Sequence, residues 1–190
     1  MLEAAQNLID DYEIIFKENP LGSGFRYRYI KTEKVNYREF IQPAFEMRRE
    51  DVRFDKVVCS ASEVREFAKG TLEALGFEYL RVEEQLHDIA YIFMERFNIN
   101  CLNCRMELIY SDKCKRFHVD NVFLRMITTL LGPGTELQLS DELQTVLQVK
   151  TGDTVLVKGK QFPGEPTKVL HRSPKISHLG TPRLIFVMDY

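Results

Sequence analysis

No apolar run in this chain approaches the ~20 residues that a helix needs to cross a bilayer, which excludes a helical membrane protein. A basic stripe of the kind that grips nucleic acid is also missing. Lysine and arginine total 26 against 28 acids, for a net charge of -2. The arginines of FRYRYIKTEK and EMRRE are interleaved with acids and aromatics, the pattern of a solvated edge. No GxxxxGK[ST] or GxGxxG pattern is present, so GPGTE at 132–136 reads as a tight turn rather than a phosphate cradle. The N-terminus MLEAAQNLIDDYEIIFKEN lacks the basic, then apolar, then small-residue order of an export signal. Cysteine is sparse: Cys59, Cys101, Cys104 and Cys114. With no export signal, the expectation is four reduced thiols in a cytoplasm.

What is present divides near residue 100. Before it the patterning is helical. SASEVREFAKGTLEALGF opens with capping residues and spaces Val64, Phe67, Ala68, Leu72 and Leu75 along one face. EYLRVEEQLHDIAYIFMERFN repeats the spacing with Leu80, Leu86, Ile89, Ile92 and Phe93. Gly76 is the expected break between the two helices. The first nineteen residues suggest a further helix ending before Pro20. Residues 24–58 are mixed and carry no clear period.

After residue 100, RMELIYS, VFLRMITTLL, TVLQVK, DTVLVKG, TKVLHR and RLIFVMD are rich in β-branched and aromatic residues and separated by Gly and Pro clusters. The expectation is an α+β fold in one domain over 1–190. A mainly helical support region over 1–100 packs on a β-sandwich or jelly roll over 101–190 that carries the functional residues.

Those residues are His118, Asp120, His171 and Arg183. In extended backbone, residues two apart point to one face, so the side chains of RFHVDN converge. His171, within the later apolar segment VLHRS, approaches from a facing strand. Two imidazoles and one carboxylate form the set that holds a non-haem Fe(II) on one face, although Mn, Co, Ni or Zn also suit such ligands. Arg183 offers the forked donors that match a carboxylate. Taken alone, His118 and Asp120 would more simply be a structural hydrogen bond.

The stretch from 116 to 190 resembles the Fe(II)/2-oxoglutarate-dependent dioxygenase superfamily, most of all its prolyl-hydroxylase-like branch. RFHVDN resembles the family's HxD motif, VFLRMITTLL the next strand with its Arg and Thr, and GPGTEL the glycine-rich turn. KTGDTVLVKG resembles the segment before the distal histidine, and HRSPKISHLGTPRLIFVMD that histidine and the basic residue opening the last strand. The same run is similar to a bacterial family described only as a domain of unknown function. The resemblance implies a double-stranded β-helix, a cupin-like jelly roll. It implies Fe(II) on His118, Asp120 and His171, and 2-oxoglutarate held through its distal carboxylate by Arg183. It also implies help from Thr128, Thr129 and Arg125. The activity implied is hydroxylation of a small molecule or a protein side chain, coupled to decarboxylation of 2-oxoglutarate to succinate; composition adds the expectation of no nucleic-acid or membrane partner. Leu130 and Leu131 depart from the family, which places a tyrosine or asparagine near there, and the gap from His171 to Arg183 is slightly long.

Two other readings stand beside this one. The sandwich could bind a metal or ligand without turnover. Alternatively, Cys101, Cys104 and Cys114 with His118 make a C-x2-C-x9-C-x3-H series, which would suit a tetrahedral zinc in an interaction protein. His87 reads as a surface residue, His178 as a loop residue and Asp153 as a turn former.

Overall fold

The structure, a computed structural model, describes the strand positions 13–18, 25–31 and 42–43, then residues 50–78, 82–139, 146–164 and 166–190. Its elements run β1 (Glu13–Glu18), β2 (Phe25–Lys31), β3 (Gln42–Pro43), β4 (Val52–Val58), α1 (Ala61–Ala74), β5 (Phe77–Glu78) and α2 (Val82–Phe97). They continue with β6 (Leu102–Ile109), β7 (Leu124–Leu131), β8 (Glu136–Leu139), β9 (Val146–Gln148), β10 (Thr154–Lys158), β11 (Val169–Arg172) and β12 (Arg183–Asp189).

α1 starts where the sequence says it should. The Ser60 hydroxyl accepts from the Glu63 amide at 3.2 Å, and the Glu63 carboxylate accepts from the Cys59 amide at 2.9 Å. The first contact satisfies a first-turn amide that has no helical partner, and the second ties the residue before the cap to the same turn. α1 ends at Ala74 with Leu75 as its cap, and Gly76 follows with a φ of 72° that suits a residue without Cβ. Val64, Ala68 and Leu72 of α1 and Leu86, Ile89, Ala90 and Phe93 of α2 are buried. They pack on one face of a sheet ordered β1-β2-β10-β7-β12-β6-β4. Phe186 on β12 is fully buried there, its ring centroid 6.1 Å from that of Phe67. Burying a side chain of that size is worth about 2–3 kcal/mol.

The other face of this sheet meets a smaller one, ordered β11-β8-β9, which the isolated bridge between His118 and His171 extends by one residue pair. From β6 onward the chain crosses repeatedly between the two layers. β6, β7, β10 and β12 lie in the large sheet; the His118 bridge, β8, β9 and β11 lie in the small one. Every pairing is antiparallel. This is a double-stranded β-helix with helices outside it.

β7 shows how period-2 alternation separates the two interiors. Met126 and Leu130 join the helix-side core, whereas Ile127 joins Ile109, Val155, Ile185 and Val187 between the sheets.

Three expectations change. Residues 13–18 of the proposed first helix form β1, because Ile14 and Ile15 pair with Ile30 and Tyr29 of β2. Backbone pairing with β2 overrides a weak helical pattern; residues 1–12 lie outside the described part. The first hundred residues therefore supply strands β1, β2 and β4 to the large sheet as well as two helices. Finally, Cys59 and Cys101 are joined in a disulfide, leaving Cys104 buried and Cys114 exposed as free thiols. Among the described residues, no helix is long and apolar enough to cross a membrane.

Candidate metal centre

His118 and His171 are held by a reciprocal pair of backbone hydrogen bonds. Each amide donates to the other residue's carbonyl at 3.0 Å. That closely spaced pair directs both side chains to one face, and the imidazole centroids lie 4.6 Å apart. His118 Nδ1 donates to the Arg116 carbonyl at 2.8 Å. A carbonyl oxygen only accepts, so the proton sits on Nδ1 and the lone pair on Nε2. Nε2 faces Asp120, 3.4 Å from Oδ1. His171 Nε2 lies 2.6 Å from Asp120 Oδ2.

Asp120 leaves the strand just after His118, and its carbonyl accepts from the Lys160 amide at 2.8 Å. The carboxylate is a strong acid. Burial raises its pKa, but contact with His171 and the charge of Arg125 outweigh that, leaving it at about 2. Oδ2 is buried, yet neither close neighbour meets it with hydrogen-bond geometry. Ligand atoms of His118, Asp120 and His171 all lie within 4.8 Å of one another. An ionised carboxylate and a fixed Nε2 lone pair, with the second imidazole alongside, fit a divalent first-row ion.

Arg183 occupies the first position of β12, only 2% exposed. Its Nε donates to the Pro133 carbonyl at 2.9 Å, Nη1 to Ser173 Oγ at 2.9 Å and Nη2 to Thr135 Oγ1 at 2.8 Å, with Thr129 Oγ1 at 3.4 Å. All four partners are neutral. Among the described residues, no carboxylate lies within ion-pair distance of this guanidinium. Burial pulls its pKa down to about 10. The GPG turn makes the approach possible. A Cβ on Gly132, where φ is 78°, would sit 2.7 Å from the Pro182 oxygen and 3.0 Å from the Arg183 Cα. One on Gly134 would sit 1.8 Å from the Val149 oxygen. Only glycine admits that packing.

Arg183 and the His118, Asp120 and His171 cluster line one cavity of about 350 Å³, with Ile109, Ile127, Ile185 and Val187 as its apolar wall. A site of this size suits a small organic acid.

The structure thus brings together His118, Asp120, His171, Arg183 and Thr129. Thr128 points the other way, its hydroxyl 2.7 Å from that of Thr154. Arg125 lines the cavity but meets Asp120 and Asp189 rather than the Arg183 end. Thr135 and Ser173 went unrecognised in the sequence. Thr135 lies within the GPGTE turn, so the motif was visible, whereas Ser173 follows His171 with no signal of its own. The long gap between His171 and Arg183 is taken up by a loop tied down at Asp112, which accepts from the Ile176 and Ser177 amides.

The zinc series is overturned. Cys101 is spent in the disulfide, Cys104 is buried in the helix-side core, and the His118 ring faces the opposite interior. Alternation along β6 puts Cys104 with Met106 and Leu108, on the face opposite the cavity. His87 Nδ1 lies 3.0 Å from Asp88 Oδ1 on α2, and His178 is exposed in its loop.

A family model described as "Protein of unknown function (DUF1826)" matches residues 33–189. No curated protein sequence matches. Among solved structures, dioxygenase for auxin oxidation 1 from Arabidopsis thaliana, in complex with 2-oxoglutarate, is 13% identical with a TM-score of 0.44, covering 100% of this chain and 77% of its own. A Pseudomonas putida prolyl-4-hydroxylase is 14% identical at 0.40, covering 73% and 68%. A salicylate 1,2-dioxygenase from Pseudaminobacter salicylatoxidans is 11% identical at 0.31; the match covers 46% of this chain and spans only 20% of that one.

Proposed function

The chain belongs to the family described as protein of unknown function, DUF1826, and from the centre it carries we propose an Fe(II)- and 2-oxoglutarate-dependent oxygenase of the hydroxylase type. One observation carries the reading. A nearly inaccessible guanidinium, surrounded by neutral oxygens, shares a cavity with a two-histidine, one-carboxylate cluster. A buried cation with no carboxylate among the described residues in ion-pair contact is costly, and a carboxylate entering the cavity relieves that cost.

His118, Asp120 and His171 would hold the iron. Bound there, it supplies the activation of dioxygen that couples loss of carbon dioxide from 2-oxoglutarate to hydroxylation of a substrate. The chain's own part is placement. Arg183 takes the distal carboxylate, with Thr129 and Thr135 beside it to share the oxygens. Ile127 and Ile185 exclude water along the carbon chain. The Nδ1 contact with Arg116 keeps His118 in its ligating tautomer. The substrate is a small molecule or a protein side chain; nucleic acid and membrane surfaces are not part of the proposal.

Anaerobic addition of Fe(II) and then 2-oxoglutarate is expected to produce a metal-to-ligand charge-transfer band in the visible. Its absence from protein shown to be iron-loaded would refute the cosubstrate assignment.

A further inference from the structure

Arg125 makes a contact that cosubstrate binding does not need. Its Nη1 lies 2.5 Å from Asp120 Oδ2. Its Nε and Nη2 donate to Asp189 Oδ1 and Oδ2, each at 2.6 Å. Arg125 and Asp189 are directly opposite in the β7–β12 register, so two paired strands set the fork. Arg183 begins the same β12, six residues before Asp189, about 20 Å at the rise of an extended chain. The two arginines therefore serve opposite ends of the cavity.

We propose that Arg125 and Asp189 form a positioning pair that fixes the Asp120 carboxylate for the metal ion. The inference rests on the metal-centre reading above. Asp120 needs such a clamp because it lies outside any strand, just past the single bridge at His118. Its carbonyl is tied to the Lys160 amide at 2.8 Å, a backbone contact that does not set the direction of the carboxylate. Asp189 has a second role. A lone guanidinium beside the site would repel a divalent cation, and the bidentate carboxylate neutralises it. Behind them the alternation of charge continues across the sheet. Arg105 Nη1 lies 3.7 Å from Asp189 Oδ2. Arg105 Nε meets Glu107, and Arg53 Nη1 lies 3.9 Å from Glu107 Oε1. This row of paired charges holds Asp189 in place.

The test uses Co(II) alone, added anaerobically to metal-free full-length protein. Two quantities are read: the dissociation constant, by chelator competition, and the visible absorption of the bound ion, which reports coordination geometry. Arg125→Met is expected to weaken Co(II) binding 10- to 100-fold, the usual effect of removing a group that orients a ligand, and to alter the spectrum. Asp189→Asn is expected to weaken it by leaving the guanidinium uncompensated. Arg125→Lys, which keeps the charge and one contact, is expected to restore part of the affinity. Should Arg125→Met not fold, the other two variants carry the comparison. Folded variants with wild-type affinity and spectrum would overturn the positioning role while leaving the metal centre standing. Wild-type protein that takes up no Co(II) would overturn both.

Discussion

Replacing Arg183 with methionine separates a ligand-binding cation from a structural one. Burial pulls the guanidinium down to about 10. At about 1.4 kcal/mol per pKa unit, holding it charged costs about 3 kcal/mol. Against this stand its contacts to the Pro133 carbonyl and the Ser173 and Thr135 hydroxyls, each contributing about 1 kcal/mol net. The two terms nearly cancel, so Arg183→Met is expected to change unfolding free energy by less than about 2 kcal/mol. Breaking a buried ion pair, by contrast, costs about 3–5 kcal/mol. Affinity for 2-oxoglutarate is a different matter. Loss of a buried, forked carboxylate contact costs about 2–5 kcal/mol, and a fall of at least ~30-fold is expected. Urea unfolding followed by far-ultraviolet circular dichroism measures the first quantity, since the chain has no tryptophan. Calorimetric titration of the metal-loaded protein with 2-oxoglutarate measures the second. A large stability loss with unchanged cosubstrate affinity would refute the reasoning, because Arg183 would then be a structural cation.

Gly132→Ala is expected to weaken 2-oxoglutarate binding about tenfold or more while leaving Co(II) uptake intact. The new methyl meets the Pro182 oxygen and the Arg183 Cα in a left-handed backbone, which adds a strain of about 1–2 kcal/mol; parallel titrations with metal and with cosubstrate check it. Thiol counting tests the cysteine assignment: native protein without reductant is expected to alkylate once, at exposed Cys114. Burial and the nearby Asp189 push the Cys104 thiol up to about 12, so it should react only after unfolding, and Cys59 and Cys101 only after reduction as well. Mass spectrometry reads the three states; three or four alkylations of the native protein would contradict the arrangement.

The His118, Asp120 and His171 cluster was legible because its chemistry is local. HVD puts an imidazole and a carboxylate two residues apart, and few residue types can complete a metal-holding set. The glycines of GPGTE likewise announced a turn whose tightness the structure explains through Pro182 and Val149. Other features depend on which strands become neighbours. Cys59 and Cys101 are 42 residues apart in sequence. They meet because Val58 pairs with Leu102 at the end of the β4–β6 register. Thr128 and Thr129 are chemically equal candidates, and only the direction of the β7 pleat sends one to Arg183 and the other to Thr154.

By itself the sequence determined the α1 and α2 helices, the strand-rich second half, and the residue types able to grip a metal ion and a carboxylate. Periodicity and functional-group chemistry act over a few residues, and both are written in order along the chain. Tertiary structure alone decided that β1 is a strand, that Arg125 meets Asp120 and Asp189 rather than the Arg183 end of the cavity, and that Thr135 and Ser173 surround Arg183. Each of those contacts joins segments distant in sequence, and register and sheet order, set by packing of the whole domain, select the partner.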